Sequence, residues 1–340
     1  MINSKSICIL PHLSGIGGPA SFQSKLKTGL KEHGISVHHD PSRDDTATIL
    51  VIGGTHQLID LFRARKRGIR IVQRLDGINW LHKKTHTGLR HYLRSEWFNY
   101  LLAIIRQRFA HHIVYQSKFS REWWQKAYGA VNATSNMIYN GVNLKTFSPQ
   151  GSRSLLDKKI HLLIVEGSFY GGYEFDLINT IDLANSLAKK LCKKVDLIVV
   201  GKVPEQMKKK TALSHDVYVH WRGIVPHKNI PSLNRSSHLF FSSEINAACP
   251  NSVIEAMACG LPIVSYATGS LPELIAQDAG KIVPYGSNYW NLEKPNTSAL
   301  VEAAIEVLNH QPEFRQAARK RAEKLFDVNQ MVEKYIDVLL

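Results

Sequence analysis

Long hydrophobic runs are missing from this chain. Crossing a bilayer takes about 20 consecutive apolar residues, and the richest stretch, Trp97 to Ile105, is about half that length and interrupted by Asn99. The first residues, Met1 to Leu10, lead straight into a strand-like segment. They carry no basic start, long apolar core or small-residue cleavage site, so no signal peptide is expected and the cytoplasm is the expected compartment. Cysteine is scarce: Cys8, Cys192, Cys249 and Cys259 are the only four. None forms a C-x-x-C pair or joins a His cluster at zinc-finger spacing, which excludes a disulfide scaffold and a structural zinc site. All four read as free thiols, with Cys8 and Cys192 as small buried hydrophobes.

Acidic residues are also scarce, but only in the first half. Residues 1–148 hold 21 Lys and Arg against 8 Asp and Glu, a net of +13; residues 149–340 hold 22 against 20, a net of +2. The first half is therefore expected to meet a polyanion: nucleic acid, an anionic membrane or a phosphorylated acceptor. The bland alternative is a solubility charge with no partner. Residues 81–126 carry nine Lys and Arg against two acids, together with Trp97, Phe98, Trp123 and Trp124. No nucleic-acid motif accompanies them, so a basic nucleic-acid-binding protein is kept only as an alternative.

What is present is an alternation. The 340 residues, 44% hydrophobic, suit two domains. Apolar β-branched runs at 6–10, 48–52, 69–72, 112–115 and 136–139 alternate with helical spacing at 21–33, 56–67, 89–110 and 118–128. The pattern restarts with strands at 160–165, 195–200, 217–221, 238–241 and 262–265, and helices at 175–191, 204–213, 228–235, 251–259 and 271–277. Helices at 297–309, 311–325 and 329–339 close the chain. Fully apolar strands alternating with helices predict parallel sheets covered on both faces. Two Rossmann-like doubly wound domains facing across a cleft are therefore expected. The breaker-rich stretch Ser148 to Ser154 marks the seam, with domains at 1–150 and 151–325 and a tail helix at 326–340 that packs back on the first domain.

Three glycine turns follow strands, where α/β folds place ligands. Ser14-Gly-Ile-Gly-Gly-Pro19 precedes the first helix, so Gly17 and Gly18 let an anion approach the backbone, although an ordinary tight turn has the same composition. Ala248 to Pro262 opens a helix at Pro250, Asn251 and Ser252, whose free N–H groups suit a diphosphate. Glu255, on the same face as Asn251, suits ribose hydroxyls; a Ser252–Glu255 capping box is the alternative. Gly269 and Ser270 precede Glu273, which also suits a helix start through the dipole alone.

With these residues the chain resembles the family 4, or group 1, retaining glycosyltransferases of the GT-B fold. The resemblance runs through Ser14 to Phe22, Gln73 to Ile78, Val114 to Ser120, Tyr139 to Asn143 with Phe147 and Pro149, Trp221 to Val225, and most specifically Cys249 to Gly260. It implies a nucleotide-diphosphate-sugar donor, transfer with retention through an oxocarbenium-like transition state, and neither a covalent nucleophile nor a metal or other cofactor. It implies donor contacts from Gly17, Gly18, Arg222, Pro250, Asn251, Ser252, Glu255, Gly269, Ser270 and Glu273. It also implies an acceptor that is a glycan or lipid-linked, in cell-surface polysaccharide or lipopolysaccharide synthesis.

The chain departs from the family in three places. The first glutamate of the family's pair falls on Ala247, and Glu244 is the nearby substitute if the loop bends. The Arg and Lys that hold the diphosphate fall on Ser168 and Tyr173, leaving Arg222, Lys202 and the helix start at Pro250 to supply positive charge. Asp76 stands where many members have a His beside the sugar, able to stabilise developing positive charge or simply to cap a loop. The departures keep open a degenerate GT-B protein that binds without transfer. Finally, the basic and aromatic stretch from Trp80 to Arg108 predicts peripheral attachment to the inner face of a membrane through Trp97, Phe98, Tyr100, Leu101 and Leu102, unless 89–110 is simply a core helix.

Overall fold

A computed structural model describes residues 6–15, 17–152, 159–211, 213–276 and 278–340. Ile16 of the first glycine turn, Arg153 and Ser154 of the expected seam, Ala212 and Gln277 lie outside the described residues.

The chain forms two compact units, one of residues 1–83, 87–141 and 328–340, the other of 84–86 and 142–327. In the first, the chain runs β1 (Ser6–Leu10), α1 (Gly18–Glu32), β2 (Val37–His38), β3 (Thr46–Ile52), α2 (Leu58–Lys66), β4 (Arg70–Leu75), α3 (Leu89–Ile104), β5 (His112–Tyr115), α4 (Lys118–Tyr128) and β6 (Thr134–Met137). Its sheet has the order β2-β1-β3-β4-β5-β6 and is wholly parallel. The second unit runs β7 (Ile160–Ser168), α5 (Glu174–Leu191), β8 (Val195–Lys202), α6 (Glu205–Lys210), β9 (Val217–Gly223), α7 (Ile230–Arg235), β10 (Leu239–Ser242), α8 (Asn251–Ala258), β11 (Ile263–Tyr266), α9 (Leu271–Ile275), β12 (Gly280–Val283), α10 (Thr297–Asn309) and α11 (Gln311–Leu325). The last helix, α12 (Val328–Leu339), returns to the first unit. The second sheet, β12-β11-β10-β7-β8-β9, is also parallel and has the Rossmann strand order.

Both faces of inner strands such as β1, β3, β5, β8, β10 and β11 are buried, which is why these strands read as continuous apolar runs, whereas the edge strands β6 and β9 are largely exposed. In β1, Ile7 and Ile9 face a core with Phe22, Leu26 and Leu30 of α1 and Met331, Val332 and Tyr335 of α12. Cys8 and Leu10 face the opposite core, with Leu61 and Ala64 of α2 and Ile105. Burying each such large aliphatic side chain stabilises by about 1.5–3 kcal/mol. The docking of α12 is specific as well as apolar. Gly29 of α1 sits against the Val332 side chain, Gly141 sits against the Val328 backbone, and Thr48 Oγ1 donates to Leu339 O at 2.6 Å.

The division between units falls at Gly141/Val142, ahead of the polar seam. Val142 N donates to Phe326 O at 2.7 Å, and Val142 bridges to Asp327, so backbone pairing ties residues 142 onward to the end of α11. Two edge strands fall outside the predicted ones: β2 has only two residues, and β12, Gly280–Val283, starts on a glycine and carries a lysine, so it does not read as an apolar run. Helix α3 stops at Ile104 and passes into a π-helical turn, Ile105–Phe109. Cys8 is buried as expected, but Cys192 is exposed, because it ends α5 in a left-handed conformation, φ 50°.

Candidate active site

In an open parallel sheet, ligands bind beyond the carboxyl ends of the strands where the strand order reverses. In the second unit that point lies between β7 and β10. Three segments leave the sheet there: Ser243–Pro250 from β10 into α8, Ala267–Ser270 from β11 into α9, and Phe169–Tyr173 from β7 into α5.

Helix α8 forms because Val253, Ile254, Ala256, Met257 and Ala258 are apolar and buried. Its N-cap is Pro250, in an extended conformation with no side-chain cap. The first backbone N–H groups, at Asn251, Ser252 and Val253, therefore find no acceptor within the helix and point outward with the positive dipole end. The opposite end is neutralised from α11. Arg319 Nη1 donates to Ala258 O at 2.7 Å, and Arg315 Nη1 to Gly260 O at 3.4 Å. Since Pro250 is the cap, no Ser252–Glu255 capping box forms. Glu255, its side chain only 7% exposed, instead accepts from His227 Nε2 at 2.8 Å through Oε1.

The loop from β10 into α8 and the glycine turn before α9 meet. Gly269 has φ +57°, and a Cβ there would lie 2.7 Å from both the N and the O of Ala247. Ser270 N donates to Ala247 O at 2.9 Å. Around this contact several buried polar groups lack partners among the described residues: both amide atoms of Asn246, Ser243 Oγ and Ser270 Oγ. Asn246 is itself left-handed, φ 62°. Each unmade buried hydrogen bond costs about 1–3 kcal/mol, so this cluster suits a hydroxyl-rich ligand.

Glu244 lies two residues beyond β10, beside carboxylates that sequence reasoning missed. Burial pushes its carboxyl up to about 7. Burial, with the charges of Glu244 and Asp176, raises Glu166 well above the usual carboxylate range; burial, with the charges of Glu244 and Glu174, does the same to Asp176. The only signal for them was position. Glu166 precedes the glycine turn, and Asp176, in the first turn of α5, reads as an ordinary helix-dipole partner. His227 was missed too, since nothing in sequence places it beside Glu255.

The remaining candidates are scattered. Lys202 is the register partner of Ser168 across β7 and β8. Arg222 is exposed on β9, the edge strand, with β8 and β7 between it and β10. Glu273 is half-buried in the first turn of α9, and its carbonyl accepts from Arg321 Nη2 at 2.8 Å. Among the described residues, no group of three or more His, Cys, Asp or Glu is arranged to hold a metal ion.

In the first unit, Gly17 is the N-cap of α1 and Gly18 its first residue, while Gly15 takes φ +104°. Gln23 folds back to hold this turn, accepting from Leu13 N at 2.9 Å and donating to Pro11 O at 2.8 Å. Asp76 follows β4, and its carbonyl is fixed by Trp124 Nε1 at 2.8 Å and Ser120 Oγ at 2.9 Å. Burial raises the Asp76 carboxyl, opposed by the charge of Arg74. Arg74, unremarked in the sequence, is buried over the Phe22 ring at 3.8 Å and donates to Asn140 Oδ1 at 2.7 Å.

Residues 173–325 match the family model of group 1 glycosyl transferases. A phosphatidylinositol N-acetylglucosaminyltransferase subunit from Arabidopsis thaliana is 28% identical over 150 residues, 42% of this chain and 31% of that protein; its Homo sapiens counterpart is also 28% identical, over 42% and 29%. The chain thus spans about a third of the length of these relatives. Among solved structures, HepE of Anabaena in complex with UDP-glucose superposes over 98% of this chain and all of that one, with a TM-score of 0.68 and 17% identity. WaaG, a glycosyltransferase of lipopolysaccharide biosynthesis, superposes over 98% and 99%, with a TM-score of 0.67 and 15% identity. Sucrose-phosphate synthase from Thermosynechococcus elongatus gives 96%, 80%, 0.65 and 15%. The architecture of the chain, two six-stranded parallel α/β units, is the GT-B fold of these glycosyltransferases.

Proposed function

We propose that this protein is a glycosyltransferase that moves a sugar from a nucleoside-diphosphate sugar to a glycan or lipid-linked acceptor with retention of anomeric configuration. The observation that carries the reading is the meeting of the Ala247 and Gly269 turns at the uncapped start of α8, with the unpartnered Asn246, Ser243 and Ser270 groups around it. This lies within the stretch that matches the family model. The diphosphate lies on the N–H groups of Asn251, Ser252 and Val253, where the dipole opposes its charge. Glu255 accepts from the ribose hydroxyls. Lys202, beside Ser168 in register, supplies the cation that the family resemblance implies at the Ser168 and Tyr173 positions. Glu244 takes hydroxyls of the sugar in place of Ala247. As the glycosidic bond breaks, charge develops on the leaving diphosphate, and the α8 N-terminus and Lys202 stabilise it. No metal or other cofactor enters this scheme.

Thermal-shift screening against a panel of nucleotide sugars tests donor binding, because a donor at a hundredfold excess over its Kd stabilises by about 2.7 kcal/mol. Following the anomeric proton of the product by NMR tests retention. Donor binding with no transfer to any acceptor would instead favour a binding-only protein.

The acceptor side is proposed to work at an anionic membrane surface on the inner leaflet. No helix among the described residues is long and apolar enough to cross a bilayer. Helix α3 has two apolar faces. Leu101, Leu102 and Ala103 are buried, whereas Leu89 (73% exposed), Leu93 (60%) and Trp97 (51%) form an outer stripe with Tyr100, flanked by Arg90 and Arg94. Of the residues expected to insert, Trp97 and Tyr100 are therefore available, while Leu101 and Leu102 are core and Phe98 is half-buried. Each nearby Lys or Arg contributes about 1 kcal/mol at such a surface. Flotation with anionic but not neutral vesicles, lost in Leu93→Ser/Trp97→Ser, is the expected result; equal association with both, or none at low salt, refutes it.

A further inference from the structure

The pairing of His227 with Glu255 is not explained by the fold. His227 lies in a short 3-10 turn, His227–Asn229, and its side chain is 58% exposed, so the core does not depend on it. Glu255, on α8, has its carboxylate buried. An ionised carboxylate can only accept, so the tautomer that fits the 2.8 Å contact carries its proton on Nε2 and donates it to Oε1. The imidazole also packs against the ring of Phe147, centroid to centroid 5.0 Å at an interplanar angle of 50°. Phe147 is buried, and its carbonyl accepts from Arg319 Nη1 at 2.8 Å; the same Nη1 donates to Ala258 O, at the end of α8, at 2.7 Å. The segment after Val142 and the middle and C-terminal end of α8 are thus linked in one ring of contacts: Phe147 to His227, His227 to Glu255, and Ala258 through Arg319 back to Phe147.

We infer that His227 is a positioning residue for donor recognition: held against Phe147, it fixes the rotamer in which the Glu255 carboxylate meets the ribose hydroxyls of a nucleoside diphosphate. This rests on the donor site proposed above. A flexible glutamate would lose rotamer freedom on binding the sugar hydroxyls; a carboxylate already held at Oε1 does not. The role is specific to the ribose. His227 then governs how strongly the site distinguishes a hydroxylated ribose from one without hydroxyls, and leaves the diphosphate contacts at the α8 start unchanged.

The test measures, by calorimetry, binding of UDP, GDP and ADP and of their dideoxyribose counterparts to the full chain and to His227→Ala, His227→Gln, Phe147→Leu and Glu255→Ala. The intact protein is expected to prefer its best nucleotide over the dideoxy form by about tenfold or more. His227→Ala reduces that preference to within about threefold at an unchanged melting temperature, through loss of the ribonucleotide rather than of the dideoxy form. His227→Gln, whose amide can still donate to Oε1, restores most of it, and Phe147→Leu gives an intermediate value. Full preference in His227→Ala, with Glu255→Ala still defective, overturns the positioning role and leaves the donor site standing. No nucleotide binding to the intact chain, or binding that Glu255→Ala leaves unaltered, overturns the donor site and this role with it.

Discussion

Replacing Gly269 by alanine tests the contact on which the donor site is built. At φ +57° an L-residue costs about 1–2 kcal/mol more than glycine. The added Cβ would also lie 2.7 Å from Ala247 N and O and 2.8 Å from the carbonyl carbon of Asn246. All three atoms belong to backbone, so no flexible side chain can yield, and overpacking of this kind adds about 1–3 kcal/mol. Together the two effects give about 2–5 kcal/mol. In a unit of this size that lowers the melting temperature by roughly 4–20 °C. The alternative is that the Asn246–Ala247 segment moves away, in which case stability is kept and nucleotide affinity falls. Gly15→Ala is the matched control. Its φ is +104°, but nothing lies within 4 Å of the added Cβ, so only the conformational cost applies. Scanning calorimetry and UDP titration of both variants decide the matter. A Gly269→Ala protein that equals the wild type in both measurements refutes the claim that this close approach shapes the site.

Glu255→Ala is expected to weaken binding of the best nucleotide about 10–150-fold by calorimetry, the loss of one charge-assisted contact; a lower melting temperature with unaltered affinity would make Glu255 purely structural. Lys202→Ala should weaken a nucleoside diphosphate at least about tenfold while leaving the bare nucleoside unaffected, and equal losses for both refute its placement at the phosphates. Glu244→Gln should change how stability responds to pH. A carboxyl raised to about 7 in the fold, above its unfolded value, favours the folded state fully at pH below the unfolded value and loses that contribution as pH rises towards 7. The Gln variant should therefore match the wild type near pH 4 and exceed it at pH 8 in urea melts. Identical curves at pH 8 would mean that burial does not strain this group.

The sequence by itself determined the alternation of elements. The apolar strands are continuous because both sheet faces are covered, and the helices keep their own period, so both sheets were legible from local pattern. It also marked the three glycine turns, since left-handed and close-approach positions select glycine whatever their neighbours. Only the tertiary structure decided what those turns do. That Gly269 rests on Ala247 depends on the adjacency of β10 and β11. The gathering of Glu166, Asp176 and Glu244 depends on strands and a helix start far apart in the chain, and each carboxylate alone looks ordinary. The division at Gly141/Val142 depends on a backbone bond from Val142 to Phe326, which no local composition reports. Trp97, Leu101 and Ile105 follow one another at i, i+4 and i+8 and look alike in a helical pattern, yet Trp97 is exposed in α3 while Leu101 near its end and Ile105 just beyond it are buried, because which turns of one ridge are covered depends on neighbours far away in the chain.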